Sequence, residues 1–503
     1  MRLNAAVFIA GAALMGLEIA GSRVLAPVFG TSVFVWGALI TTFLASLALG
    51  YELGGRLADR RPEPEILARC LFVAALLVWI VFWNPAPILG VLADAPVPER
   101  FRSLLAAAVL FGPPSVLMGF VGPFAVRLAT RDIARVGSAA GRLSAISTAG
   151  SILGTFAMTF FLIPAFPIRP ILFGLGLSLL ASAALIPVRS RLGPAIAFAL
   201  GIAGSLVFLI SPDRAMIPPP VGNILFEKET AYHHIRVVDS GLRRLLYFNN
   251  LTQGFVPLRD GVDQPPIYAD GLMLPFAFRA APVRSVVVIG LGAGLVERSL
   301  SAHYPEVETT TIEIDPEVVR VAEQYFRFKL DPNDRILIGD GRHELRKHVT
   351  SVDVIVEDAF FADSVPFHLM TREFFVLCRD RLSPDGIYVA NLVGSLTGKD
   401  NGLFWAMYLA LRDVFPNVYI FNDELASGSA AFRGNAIVVA TRSRDRLDRA
   451  SIVDGAGKVA RKMSRPEILE WAGRLHEGEI RTEGWPMLTD AYSPTDALQH
   501  LSR

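Results

Sequence analysis

Lysine is absent from the first 211 residues of this 503-residue chain, which contain 15 arginines and 8 acidic residues and carry a net charge of +7. The remaining residues have 33 basic and 39 acidic side chains and a net charge of −6, so the total of +1 combines two unlike parts. Neither part has a long basic run interleaved with aromatic residues, the pattern by which proteins contact nucleic acids. We therefore expect no nucleic-acid partner.

Cysteine is also scarce, since only Cys70 and Cys378 are present, one in each part. Two such distant cysteines exclude a disulfide framework and a cysteine metal site. His233 and His234 lack further ligands at metal-binding spacing, so we expect no metal. We expect no cleavable signal peptide either, because the first apolar stretch contains Glu18 and leads straight into further apolar stretches.

Long apolar stretches recur up to Ser211 and then stop. Each is long enough to cross a hydrocarbon core of about 30 Å at about 1.5 Å per residue, so we expect the lipid bilayer as a partner. Pro113-Pro114 lies inside the fourth stretch and predicts a break or kink there. The sequence thus predicts about seven spans, at 4–26, 32–55, 68–92, 103–128, 141–165, 169–187 and 193–211.

Short apolar runs replace the long ones after Pro218-Pro219-Pro220. Residues 223–256 have the pattern of short strands joined in hairpins. From about residue 264, strands alternate with helices, which is the rhythm of a doubly wound, mainly parallel sheet. The strand candidates are 284–290, 308–314, 334–338, 352–357, 386–392, 416–422 and 434–441.

Four successive strand candidates end in residues suited to a nucleotide-like ligand. The first runs into Gly290-Leu291-Gly292-Ala293-Gly294, where glycines permit a tight turn and close approach of the backbone. The second ends near Glu313, where a carboxylate can accept both hydroxyls of a ribose. The third leads to Asp340 and the fourth to Asp358. One such Asp is often only a helix cap, but the four together predict a ligand site at the carboxyl edge of the sheet.

These residues resemble the catalytic domain of spermidine synthases and related aminopropyltransferases, over about 220 to 440. The stronger matches are the glycine loop, Glu313-Ile314-Asp315-Pro316-Glu317-Val318, Gly339-Asp340-Gly341-Arg342, Asp353-Val354-Ile355-Val356-Glu357-Asp358 and Thr371-Arg372-Glu373-Phe374-Phe375. Upstream, the likeness extends to Tyr232-His233, Asn249-Asn250-Leu251-Thr252-Gln253 and Tyr268-Ala269-Asp270. The membrane half and the ending Leu488-Thr489-Asp490-Ala491-Tyr492-Ser493-Pro494 resemble bacterial membrane proteins that carry such a domain.

The resemblance implies an α-helical transmembrane bundle plus a Rossmann-like (class I methyltransferase-like) α/β domain with a small N-terminal β-hairpin region. We expect a transmembrane bundle at 1–211 and a small β-domain at 212–262. The Rossmann-like catalytic domain that binds an adenosyl ligand would follow at 263–445, and a C-terminal helical tail at 446–503.

The resemblance also implies a spermidine synthase-like transferase. Its co-substrate would be S-adenosylmethionine or decarboxylated S-adenosylmethionine, and its acceptor a small-molecule amine. Asp358 would be the catalytic base and Tyr268 would position the amine. Binding of the adenosyl co-substrate would fall to Gln253, Gly290, Gly292, Gly294, Glu313, Asp340 and Gly341. Binding of the acceptor would fall to His233, Asp270 and Asp363.

Three departures from the family's pattern leave other functions open. Ala293 replaces the loop Asp that holds the donor amine, Phe361 replaces a second Asp near the base, and His233 replaces a Gln. One alternative is a methyltransferase, lyase or cyclase that uses intact S-adenosylmethionine. Another is a transporter or sensor with an adenosyl-ligand-binding domain, which Glu18 and the likeness of residues 50–61 to a major-facilitator loop motivate. A homo-oligomer also stays open.

The arginines between the predicted spans bear on orientation. Loops 56–69, 127–142 and 187–192 carry four, four and two arginines, which places them and the N-terminus in the cytoplasm. Seven crossings would then leave the catalytic domain outside, whereas an adenosyl co-substrate is made in the cytoplasm. We expect a multi-pass protein of the cell membrane with a cytoplasmic catalytic domain, which requires one crossing fewer or an outside N-terminus.

Overall fold

The computed structural model describes the chain in twelve segments and a few isolated positions between them. The described segments are 1–30, 32–83, 85–93, 95–130, 135–186, 221–249, 251–258, 267–359, 366–394, 402–422, 434–478 and 484–495. The chain divides into two compact units, Met1–Pro219 and Pro220–Arg503.

The described part of the first unit is helical. Its helices are α1 Arg2–Phe29, α2 Val33–Arg60, α3 Pro64–Trp83, α4 Pro85–Ala93, α5 Glu99–Gly119, α6 Val121–Ala129, α7 Val136–Ala157, α8 Ile163–Ala165 and α9 Ile168–Leu185, with a π-helical turn at Met158–Leu162. Six described helical segments are long and apolar enough to cross a membrane, namely Arg2–Ala26, Val33–Arg60, Pro64–Val81, Phe101–Ala129, Val136–Ala165 and Ile168–Leu185. The predicted span at 193–211 lies outside the described residues except at 199, 203 and 204.

Glycines bring α1 and α7 into backbone contact. A Cβ atom added to Gly150 would lie 2.1 Å from the carbonyl oxygen of Phe8, and one added to Gly154 would lie 2.3 Å from that of Ala12. The hydroxyl of Ser151 donates to the carbonyl of Gly11 at 3.2 Å. Small residues with an interhelical hydrogen bond are how helices associate in lipid, where burial of apolar surface gives no driving force.

The outward faces of these helices carry large apolar side chains. Leu44, Ile80, Ile152 and Phe160 are 62%, 56%, 66% and 64% exposed. Such surfaces are rare on water-soluble monomers and ordinary on helices that face hydrocarbon. The helices are therefore compatible with a location in a membrane.

The fourth apolar stretch is interrupted after Gly119 and not at Pro113-Pro114, where a kink stays a prediction. Helix α5 runs through both prolines and ends at Gly119, and α6 begins at Val121. Pro123 explains the position, because it lacks the N–H that would bond to the carbonyl of Gly119 one turn earlier. The close approach of α2 also fixes this point, since a Cβ atom on Gly119 would lie 3.0 Å from the Cα atom of Gly50.

The second unit begins with a four-stranded antiparallel sheet in the order β1-β2-β3-β4. Its strands are β1 Asn223–Glu229, β2 His234–Ser240, β3 Arg243–Phe248 and β4 Leu251–Pro257. Two short helices follow, α10 Ile267–Gly271 and α11 Pro275–Phe278.

A seven-stranded sheet follows, in the order β10-β11-β9-β8-β5-β6-β7, in which only β11 runs antiparallel to its neighbours. Its strands are β5 Ser285–Ile289, β6 Glu308–Glu313, β7 Arg335–Ile338, β8 Val352–Glu357, β9 Leu382–Gly394, β10 Asn417–Asn422 and β11 Gly434–Thr441. Its helices are α12 Leu295–His303, α13 Pro316–Tyr325, α14 Gly341–His348, α15 Arg372–Arg381, α16 Gly402–Val414, α17 Arg449–Met463 and α18 Glu467–Gly473, with a 3₁₀ turn at Phe367–Leu369.

Helices cover both faces of the large sheet. One core contains Leu345 of α14, Phe374 of α15 and Leu411 of α16. The opposite core contains Leu300 of α12 and Ile452 of α17, together with Trp471 of α18.

The predicted fold class is therefore confirmed, as a helical region followed by a small β region and a Rossmann-like α/β domain with a mainly parallel sheet. The apolar β-strands were readable because a strand covered on both faces is apolar throughout. The four predicted domain ranges stay a prediction.

Candidate active site

The glycine loop after β5 depends on backbone conformations that suit glycine. Gly290, Gly292 and Gly294 have φ values of +95°, +54° and +68°. A Cβ atom on Gly290 would lie 2.5 Å from the carbonyl oxygen of Asp358. The amide of Asp358 donates to the carbonyl of Ile289 at 2.9 Å. The loop and the start of the segment after β8 are thus tied together at one edge of the sheet.

Glu313, the last residue of β6, is joined to this loop. Its Oε2 accepts from the amide of Leu291 at 3.0 Å, and its Oε1 accepts from the amide of Asp315 at 2.9 Å. The side chain is 5% exposed, and burial raises its pKa, an effect that the two amide donors oppose. Because a carboxylate has about four lone-pair positions, Glu313 retains acceptor capacity for a ligand.

Asp340, which follows β7, caps helix α14. Its Oδ1 accepts from the amide of His343 at 2.9 Å, and its Oδ2 lies 2.7 Å from Nε2 of His368. The bond to His368 lowers the pKa of Asp340, and its side chain is 38% exposed. Next to it, a Cβ atom on Gly341 would lie 2.5 Å from the side chain of Ile289. Asp340 is therefore an ionised, accessible carboxylate beside a position with no room for a side chain.

Residues distant in sequence hold the His368 turn. One Nη atom of Arg342 donates to the His368 carbonyl at 3.1 Å. The same guanidinium makes two bonds to the carboxylate of Asp490, at 2.7 and 2.6 Å. Asp490 also accepts from the hydroxyl of Thr371, the cap of α15, at 2.7 Å. Asp490, in the C-terminal segment 488–494, thus supports the turn whose His368 binds Asp340.

Asp358 lies beside the glycine loop and is bonded to Asn391 near the end of β9, whose Nδ2 donates to its Oδ1 at 3.0 Å. Burial raises the pKa of Asp358 to about 6, against the opposing effect of Asn391. At neutral pH such a carboxylate is mostly ionised and is a stronger base than an ordinary Asp.

Tyr268 and Gln253 adjoin the same loop. The Tyr268 hydroxyl donates to the carbonyl of Gln253 at 3.2 Å. A Cβ atom on Gly254 would lie 3.1 Å from the Cβ atom of Ala293, so β4 packs directly against the loop. Burial, and then the charge of Asp358, raises the pKa of Tyr268 well above its ordinary value. The phenol therefore stays protonated beside Asp358.

Two of the predicted acceptor residues have other partners in the structure, and their role in binding the acceptor stays a prediction. Asp270 is 2% exposed and its carboxylate lies 2.6 Å from a guanidinium nitrogen of Arg465. His233 is buried and its ring stacks on Phe248, with centroids 4.3 Å apart. Asp363, like Phe361, lies outside the described residues.

We did not identify three residues from the sequence, namely Asn391 and His368 beside the site and the buried Glu297 of helix α12. Asn391 could have been found, because it ends a fifth strand candidate at the same sheet edge. The sequence points to His368 only through its position three residues before the segment that begins at Thr371. Glu297 resembles any acidic residue in the first turn of a helix, yet it is buried.

Comparison with known proteins agrees with this arrangement. Residues 272–419 match the spermine/spermidine synthase domain family. A polyamine aminopropyltransferase from Vibrio vulnificus is 36% identical over 155 residues, which cover 30% of this chain and 50% of that protein. Another from Chromobacterium violaceum is 24% identical over 259 residues, covering 50% of this chain and 94% of that protein.

The chain spans half or less of the length of the first curated relatives that it matches. A solved structure of a probable spermidine synthase from Corynebacterium glutamicum is 20% identical and has a TM-score of 0.45. It covers 55% of this chain and 98% of that one. The matched region contains the glycine loop, Glu313, Asp340 and Asp358. The C-terminal half of the chain contains a spermidine synthase domain.

Proposed function

We propose that the chain is a membrane-anchored, aminopropyltransferase-like enzyme that acts on S-adenosylmethionine or its decarboxylated form. The observation that supports this most is the position of Asp358. It is a half-buried carboxylate with a raised pKa, held by Asn391 at 3.0 Å, directly beside the glycine loop that Glu313 fixes.

The adenosyl part of the co-substrate would occupy the edge formed by the glycine loop, Glu313 and Asp340. The unused lone pairs of Glu313 suit the two ribose hydroxyls, and the accessible carboxylate of Asp340 suits the adenine amino group. Gly290 and Gly341 permit close approach, because a side chain at either position would clash with the neighbouring strand ends.

Asp358 and Tyr268 would act on the amine acceptor. In the transfer, the amine nitrogen bonds to the carbon next to the sulfonium, the carbon–sulfur bond breaks, and its electron pair stays on sulfur as a neutral thioether. The proton lost by the nitrogen passes to Asp358. With a pKa of about 6, Asp358 is mostly ionised at pH 7 and ready to accept it. Tyr268, held by the Gln253 carbonyl, restricts where the amine can lie.

The decisive experiment incubates the purified full-length protein with each sulfonium donor, with and without short diamines, and identifies products by mass spectrometry. Methylthioadenosine together with an aminopropylated amine supports the proposal. S-adenosylhomocysteine with a methylated product would favour the methyltransferase instead. Methylthioadenosine released from intact S-adenosylmethionine without an acceptor would favour a lyase or cyclase. No turnover, despite binding, would favour the transporter or sensor.

Glu313→Gln is expected to weaken binding of methylthioadenosine about 10- to 100-fold. A hydrogen bond to a charged group contributes about 1.5–3 kcal/mol. The glutamine side chain also has one acceptor oxygen where glutamate has two, so it cannot accept from the amides of both Leu291 and Asp315 in the same way. Calorimetry on the full-length protein measures the effect.

The matched control is Glu308→Gln, at the exposed first residue of the same strand. It keeps the strand and changes charge equally, so the affinity should stay within about two-fold of wild type. Equal affinities in both variants would remove Glu313 from the proposed ribose site.

We propose further that the six apolar helices anchor the protein in the cell membrane and that the catalytic unit faces the cytoplasm. The exposed apolar faces and the arginine-rich loops at 56–69 and 127–142 support this. Six crossings, by the helices of the described part of the chain, would return it to the side where it began, whereas a further crossing at 193–211, outside the described residues except at three positions, would restore the conflict. The protein should remain with membranes after an alkaline carbonate wash, and its release into the wash would contradict anchoring.

A further inference from the structure

Glu297 is a buried carboxylate one turn beyond the glycine loop. Helix α12 starts at Leu295, directly after Gly294, and Glu297 is its third residue. The side chain is 4% exposed, and its Oε1 accepts from the hydroxyl of Thr311 at 2.9 Å. Its Oε2 has no hydrogen-bond partner among the described residues.

Helix α12, which carries Glu297, covers the face of the sheet on which Asp358 lies. Val354 and Val356 of β8 pack in one core with Val296 of α12. Because successive strand side chains point to opposite faces, Asp358, two residues beyond Val356, continues on that face. Val389 of the same core places Asn391 there in the same way.

The other buried acid nearby lies on the opposite face. Glu357 accepts from the hydroxyl of Tyr388, and Tyr388 packs in the core that contains Phe374 and Leu345. Glu297 is therefore a carboxylate that shares the layer of Asp358, and Glu357 is a comparison residue in a different layer.

Two buried oxygen atoms of this layer, Oε2 of Glu297 and Oδ1 of Asn391, have no hydrogen-bond partner among the described residues. Oδ1 of Asn391 is an acceptor, and Oε2 of Glu297 is one whenever its carboxyl is ionised. The hydroxyl of Tyr268, the nearby phenol, already donates to Gln253. Buried acceptors without donors are costly, so a ligand with several N–H groups would remove that cost.

The charges around Glu297 point to the same conclusion. Burial raises its pKa to about 8, and the negative charges of Asp358 and Glu313 add to the rise. The carboxyl is accordingly protonated at neutral pH when no cation is near. A cation placed between Glu297 and Asp358 would favour the ionised form of both.

We propose that Glu297, together with Asp358, binds a primary ammonium group of the ligand, and that this binding displaces the proton from the Glu297 carboxyl. The assignment rests on the proposed function only for the adenosyl part of the ligand. It supplies the charge that the glycine loop lacks, since the loop carries Ala293 and no acidic side chain. The proton goes to solvent, and a carboxylate–ammonium pair replaces the neutral carboxyl.

The test uses two ligands that differ in the ammonium group. Decarboxylated S-adenosylmethionine carries a primary ammonium, and methylthioadenosine does not. Glu297→Gln should weaken binding of the first about 10- to 100-fold and of the second less than about two-fold, by calorimetry on the full-length protein. Glu323→Gln, on the exposed face of α13, should change neither affinity.

Proton release gives a second, independent readout. In two buffers of different ionisation enthalpy at pH 7, the wild type should release close to one proton with the ammonium ligand and none with methylthioadenosine. Thr311→Val keeps the carboxylate and removes its donor, and should weaken binding of the ammonium ligand in the same selective way, by a smaller factor. This variant decides the question if Glu297→Gln does not fold.

Each other result contradicts the inference in a recognisable manner. Equal loss for both ligands would make Glu297 a structural residue, and no loss for either would remove it from the site. If the wild type binds methylthioadenosine but not the ammonium ligand, the ammonium site is wrong. If the wild type binds neither, the proposed adenosyl function itself fails.

Discussion

Replacing Asp358 with asparagine is expected to lower turnover about 10²- to 10⁴-fold, the usual contribution of a positioned general base. The amide keeps the size of the side chain and cannot take the proton from the attacking amine. Binding of methylthioadenosine should survive, because in the proposed site Glu313 and Asp340 would hold the adenosyl part. Product formation by mass spectrometry and ligand affinity by calorimetry measure the two effects separately.

The pH profile of the wild type adds a check on the same residue. Asp358 has a pKa of about 6 in the folded protein, so kcat/KM should fall as the pH drops through about 6 and the base becomes protonated. The control is Asp385→Asn, at an exposed position near the start of β9. This variant should keep the turnover and the pH profile of the wild type. Turnover near wild type in Asp358→Asn would reduce Asp358 to a structural residue.

The largest expected effect on stability is that of Asp270→Ala, at about 3–5 kcal/mol. Asp270 and Arg465 form an ion pair at 2.6 Å with side chains 3% and 12% exposed. Removal of the carboxylate leaves the guanidinium buried without its closest counter-charge. Because each kcal/mol lowers the melting temperature by about 2–4 °C in a domain of this size, a fall of roughly 10 °C is expected.

The pKa of Asp270 predicts what a double replacement does. It is raised to about 6 because burial outweighs the attraction of Arg465. The pair therefore recovers little net free energy, and Asp270→Leu with Arg465→Met should be less destabilising than Asp270→Ala alone. The exposed pair of Asp454 and Lys458 gives the control, since Asp454→Ala should leave the melting temperature close to that of the wild type.

These measurements also separate the two roles of Asp270. The sequence analysis predicted an acceptor-binding residue, whereas the structure places the carboxylate in a buried ion pair. A stable Asp270→Ala variant with weakened acceptor binding would favour the first role. A melting temperature lowered by several degrees, with normal acceptor affinity per folded molecule, would favour the second.

The gathering of the proposed adenosyl-binding residues at one sheet edge could be predicted from the sequence because each of them follows or ends a strand. Gly290, Glu313, Asp340 and Asp358 come one after another along the chain, and parallel strands bring their carboxyl ends to one edge. No knowledge of packing was needed for this. The same reasoning, extended by one strand, would have included Asn391.

The remaining features depend on partners far apart in the chain. The short triplet that contains Asp270 gives no sign that Arg465, 195 residues later, occupies its carboxylate. The buried carboxylate of Glu297 is bonded to Thr311 of β6, a contact that a helix pattern does not reveal. Similarly, the interruption of the fourth apolar stretch after Gly119 coincides with Pro123 and with the close approach of Gly50, a contact that the sequence does not reveal.

The bonds between Arg342 and Asp490 have a consequence for the order of events during synthesis. Asp490 leaves the ribosome 148 residues after Arg342, and β11, which lies between β9 and β10, also follows both of its neighbours. The apolar helices of the first unit are therefore synthesised long before the sheet is complete, and the turn that binds Asp340 receives its support only after translation has passed residue 490. Under the proposed function, a nascent chain would have its membrane anchor first and its adenosyl site last, so the unfinished chain would be held at the membrane before it could bind its co-substrate tightly.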